Sequence, residues 1–259
     1  MPASDVIYMG FLASLCASFG TTVGSLGVFA IRQLSRKMED GLLSLAAGIM
    51  LAASFFSLLL PALEHASKDY GSELIGALAV GAGTLMGATV LYVIHQYAPH
   101  QHFDSRREGS SKYKLGRIWL FVIAITLHNF PEGLAVGVGF AGGEVKNGVT
   151  LAIGIGLQNI PEGLAVAVAL LSVGYTALRS ALIGIASGLI EPVGGLIGAT
   201  AVSSAAVLMP WALAFAAGAM LFIISDEIIP ETHNKGNQNL ATFTLLGGFV
   251  LMMILDTAL

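Results

Sequence analysis

Two short stretches carry the side chains with most chemistry to offer: HNFPEG at 128–133 and QNIPEG at 158–163. On an α-helix, residues i and i+4 project within about 40° of each other, and i+3 falls on the same side. His128, Asn129 and Glu132 therefore share one face, and Gln158, Asn159 and Glu162 repeat the arrangement. An imidazole, amide oxygens and carboxylates make a donor set of borderline softness. Such a set suits Zn²⁺, Fe²⁺, Mn²⁺, Co²⁺ or Cd²⁺ better than Cu⁺, which prefers sulfur.

The prolines matter as much as the donors. Pro131 cannot donate to the carbonyl of Leu127, nor Pro161 to that of Leu157. In lipid a freed carbonyl needs a partner, and a kinked helix lining a wet cavity supplies one. Gly133 and Gly163 let a neighbour or an ion approach closely. Glu191–Pro192 repeats the pattern in part and frees the carbonyl of Gly188. The stretches 128–138 and 158–168 agree at eight of eleven positions, HNFPEGLAVGV against QNIPEGLAVAV.

The elements that must position these residues follow from composition. Of 259 residues, 55% are hydrophobic and 11% charged, with a mean hydropathy of +0.80. A soluble domain carries roughly 25% charged residues, so lipid is the expected solvent. Apolar runs of about 20 residues predict an all-α, polytopic membrane protein, a single transmembrane domain over 1–259. Its eight spans fall near 6–31, 41–63, 74–94, 118–139, 149–173, 177–202, 207–229 and 240–259. The first run lacks the basic start of a signal peptide and is expected to remain a span. Asp40 reads as the N-cap of span two. Cys16 is the single cysteine, which excludes an internal disulfide and a Cys-rich metal cage. No basic stripe suggests nucleic acid.

Ten of the twelve Lys and Arg fall in one alternating set of loops: Arg32, Arg36, Lys37, Arg106, Arg107, Lys112, Lys114, Arg117, Arg179 and Lys235. Lys68 and Lys146 alone fall in the other. By the positive-inside rule both termini face outward, periplasmic for an inner (cell) membrane, and the 95–117 loop is cytoplasmic. That loop holds His95, His100 and His102, which can collect metal or simply be solvated.

An ionisable group at the bilayer centre costs at least about 2.5–3.5 kcal/mol on insertion scales and marks function by default. His128 and Glu132 in span four, Glu162 in span five and Glu191 in span six all fall near the middles of their spans. Consecutive spans run in opposite directions, so the two repeats are inverted, as at the binding sites of many secondary transporters. No Lys or Arg lies at that depth, leaving a divalent cation as the natural counter-charge.

At these residues the chain resembles the Zrt-/Irt-like protein (ZIP) family of metal transporters, and is most similar to its bacterial GufA-like and ZupT-like branches. The resemblance covers the whole chain: eight spans, outside termini, a long loop after span three, and the paired HNxPEG and QNxPEG motifs. It implies uptake of Zn²⁺ and related divalent ions into the cytosol, no cofactor, and a homodimer. It also implies a binuclear centre. One metal would use His128, Glu132, Gln158 and Glu162; the other would use Asn129, Asn159 and Glu191, with Glu132 and Glu162 bridging. Many members carry His where this chain has Gln158, and some carry Asp in place of Asn159.

Further out, Glu64, His65 and Asp256 are placed to attract ions at an entrance. Asp226, Glu227, Glu231 and His233 resemble the family's release route. Alternating access is the expected mechanism, with channel-like permeation as the alternative. An intramembrane metalloenzyme is the rival from another class, but the His-Glu-x-x-His pattern is absent and the chain is expected not to be an enzyme.

Overall fold

The computed structural model describes residues 1–97, 111–140, 143–234 and 236–258, and among them the regular elements are all helical, with no strand. Eight helices are long and apolar enough to cross a membrane. They are Ala3–Phe29, Arg36–Tyr70, Glu73–Gln96, Ile118–Gly139, Val145–Ser172, Ala177–Ser204, Met209–His233 and Gln238–Ala258, here spans one to eight. The helix holding span three runs on to Tyr97, and the one holding span four starts at Ser111. His95, expected in the loop, therefore lies on a helix, whereas His100 and His102 lie outside the described residues.

Spans four and five are central. In each, 72% of the apolar stretch is buried, against 28% in span three and 17% in span eight. Span one packs on spans five and six, four on six, two on eight, and three on seven. This gives a group of spans one, four, five and six beside a group of spans two, three, seven and eight. The groups meet where span five touches span two and span four touches span seven.

Close approach of small residues explains these pairings, because lipid tails provide no hydrophobic drive between helices. A Cβ at Gly48 would strike the Leu245 carbonyl, and one at Gly248 the Leu45 carbonyl. Gly87 and Gly218 make the same reciprocal fit between spans three and seven, against Phe215 and Thr84.

Two spans widen before a proline. Residues Ala53–Leu59 and Ile224–Ile228 are π-helical, followed by Pro61 and Pro230. Each proline sits in the first turn of the α-helix that follows, where its missing N–H costs least. Span six is interrupted at Leu189–Ile190, with helix over Ala177–Gly188 and again from Glu191. Pro192 accounts for the restart, being favoured in a first turn.

Trp119 Nε1 donates to the Tyr175 hydroxyl at 3.0 Å, and Trp211 Nε1 to that of Tyr70 at 2.9 Å. With eight crossings, one pair falls at each boundary, where amphipathic aromatics belong.

Asp40 is not a cap. Span two starts one turn earlier at Arg36, and the Ser35 hydroxyl accepts from the Met38 N–H at 3.2 Å. Asp40 is buried inside the helix and accepts from Asn237 Nδ2 at 2.8 Å. A serine in the preceding polar segment supplied the cap first.

Candidate metal centre

Span four contributes His128, Asn129 and Glu132, span five Gln158, Asn159 and Glu162, and the restart of span six Glu191; all seven are buried. The glycines next to the acids set the helix spacing. A Cβ at Gly133 would run into the Glu191 carbonyl, and one at Gly194 into that of Phe130. Gly163 is held equally close to the Thr21 carbonyl of span one. The backbones touch, so the polar side chains of three spans reach one another.

Their hydrogen bonds follow a single rule: every amide spends its nitrogen and keeps its oxygen. Gln158 Nε2 donates to Glu132 Oε1 at 2.6 Å. Asn159 Nδ2 donates to Glu191 at 2.9 and 3.1 Å and to the Ala17 carbonyl at 3.2 Å. Asn129 Nδ2 donates to the Ser187 carbonyl at 2.9 Å. Left without a hydrogen-bond partner are Asn129 Oδ1, Gln158 Oε1, Asn159 Oδ1, Glu132 Oε2, Glu162 Oε2 and His128 Nδ1. A buried polar atom left so costs about 1–3 kcal/mol. Six such atoms lie on the two repeated motifs, and each is of a type that a borderline cation can take as a ligand.

Among the described residues, no three His, Cys, Asp or Glu side chains converge tightly enough to hold an ion by themselves. Two of the carboxylates, Glu132 and Glu191, accept hydrogen bonds from Gln158 and Asn159. An amide turned about its last bond exchanges N–H for oxygen at no cost in shape.

The histidine joins this cluster to another. His128 Nε2 lies 2.8 Å from Glu227 Oε2, and Glu227 Oε1 lies 2.8 Å from His95 Nδ1. Asp226 follows at 3.7 Å from His95 Nε2. Glu227, assigned by sequence to a release route, thus meets the central histidine and links it to His95, assigned to a loop. No local signal marks this contact, which needs spans three, four and seven side by side.

The remaining candidates scatter. His233 Nδ1 lies 3.0 Å from the Ile229 carbonyl and its Nε2 3.3 Å from Thr242 Oγ1. Glu231 is half-buried on the same short helix. Glu64 is exposed and His65 half-buried on the last turns of span two. Asp256 accepts from Ser57 Oγ at 2.6 Å, two turns inward of Glu64 along span two.

Residues 95–256 match the family model described as "ZIP Zinc transporter". The chain is 46% identical over 250 residues to "Zinc transporter GufA" of Myxococcus xanthus, covering 96% of this chain and 98% of that protein. It is 42% identical over 255 residues to "Zinc transporter ZIPB" of Bordetella bronchiseptica, covering 98% and 82%. It is 34% identical over 266 residues to "Zinc transporter ZupT" of Chlorobaculum parvum, covering 97% of each.

Proposed function

The chain belongs to the ZIP zinc transporter family, and on that premise we propose that it carries Zn²⁺ across a membrane through the cluster of His128, Asn129, Glu132, Gln158, Asn159, Glu162 and Glu191. The observation that carries this reading is the set of six buried, unpartnered acceptor atoms on the two repeated motifs. Fe²⁺, Mn²⁺, Co²⁺ and Cd²⁺ suit the same donors and are read as further substrates. The centre is binuclear, with Glu132 and Glu162 bridging.

Transport proceeds by alternating access, one helix group moving against the other. The direction is inward to the cytosol, through an inner membrane with both termini outside. The relatives are named as transporters, and carboxylates engaged by amides are made to bind and release an ion rather than to activate water. A homodimer belongs to the same reading.

Zinc bound at equilibrium by purified protein in micelles, measured by metal analysis after dialysis, tests the centre. Zinc retained as a pair per chain, and lost together in Glu162→Ala, is expected. A protein that retains no zinc above the Glu162→Ala level contradicts the reading.

A further inference from the structure

Four spans meet at the end of the molecule where spans four and five connect. Asn147 Nδ2 donates to the Ser57 carbonyl at 3.0 Å and to the Gly139 carbonyl at 3.4 Å. Ser57 Oγ in turn donates to Asp256 Oδ1 at 2.6 Å. Gly139 closes span four, Asn147 opens span five, Ser57 lies in the π segment of span two, and Asp256 is near the end of span eight.

Ser57 lies in the π segment just ahead of Pro61, a residue with no N–H to donate. The Asn147 amide donates to its carbonyl. It does so across the boundary between the two helix groups, since Asn147 belongs to one and Ser57 and Asp256 to the other. The His128–Glu227 pair also crosses that boundary, deeper in the molecule. Along span five, Asn147, Leu151, Ile155, Gln158 and Glu162 recur at helical spacing on one face. Leu151 and Ile155 are wholly buried, so this stripe runs sealed from Asn147 to the metal centre.

We propose that Asn147 is a latch, a positioning residue that with Ser57 and Asp256 shuts the metal route at the end of the molecule where spans four and five join. The route opens toward that face when the amide releases the Ser57 carbonyl. This rests on the alternating-access reading above, and it adds the contact that holds one side closed.

Cysteine accessibility tests it without any metal flux. In a Cys16→Ser background, Thr150→Cys places a thiol one turn below Asn147 at a buried position. A membrane-impermeant thiol reagent is applied to each face of sealed vesicles, and Lys146→Cys, at an exposed position, identifies the face that bears Asn147. Adding Asn147→Asp, which keeps the shape and loses the donor, should speed Thr150→Cys labelling from that face about tenfold, the order of change that loss of one such hydrogen bond produces. Labelling from the opposite face should not change. An unchanged rate would overturn the latch, and so would a rise from both faces, which reports loosening of the fold. Zinc uptake by the unaltered protein is measured separately, so failure of transport and failure of the latch are told apart.

Discussion

Gln158 stands where a second imidazole would strengthen the proposed metal centre, and its amide nitrogen is bonded to Glu132 at 2.6 Å. Gln158→His replaces that contact with a better zinc donor. The Michaelis constant for zinc uptake is expected to fall about tenfold, the difference one stronger ligand makes within a borderline donor set. A constant that stays level or rises would show that Gln158 does not face the ion. Glu227 is a different case, since it touches His128 without belonging to the repeated motifs. Glu227→Gln should slow uptake about tenfold, as expected when a carboxylate that holds a buried imidazole at 2.8 Å is removed, while the zinc bound at equilibrium stays the same. Loss of binding itself would place Glu227 among the ligands. The seven central residues were legible in the sequence because an ionisable or amide side chain inside an apolar run is costly and stands out. The Glu227–His128 and Glu227–His95 contacts were not, because nothing in the local pattern of spans three, four and seven says which faces meet.

Between elements, glycine decides how close the chains come. Gly133→Ala drives a methyl group into the Glu191 carbonyl, a backbone atom that cannot turn aside. Overpacking of this kind costs about 1–3 kcal/mol, and the melting temperature in micelles should fall by several degrees. Gly247→Ala, at a position that opens onto empty space, should leave it unchanged. Equal melting temperatures for the two variants would contradict the close span four–span six contact. The eight apolar helices could be read from the length of their runs, and the break in span six was foreshadowed by Pro192. The π segments were not foreseen. Pro61 and Pro230 announce a missing N–H, but whether the helix answers by widening the turn before it depends on partners such as Asn147, which lies far off in sequence. Asp40 misled for a related reason. A cap and a buried acceptor use the same carboxylate, and only the position of Asn237 distinguishes them.

At the scale of the molecule, spans four, five and six, grouped with span one, carry the seven candidate ligands, and spans two, seven and eight, grouped with span three, carry Ser57, Glu227 and Asp256. The proposed orientation, with both termini outward, rests on the distribution of Lys and Arg between the loops. Green fluorescent protein fused to the C-terminus should therefore remain dark and alkaline phosphatase there active, whereas the reverse would invert the topology. The central claim is that an ion in transit is held by the carboxylates of the two repeated motifs. Uptake of ⁶⁵Zn into proteoliposomes by the unaltered protein, Glu132→Ala and Glu162→Ala, at matched amounts of folded protein, tests it most directly. Saturable uptake by the unaltered protein, reduced to the level of protein-free vesicles in both variants, is the result predicted. Undiminished uptake in either variant would contradict it.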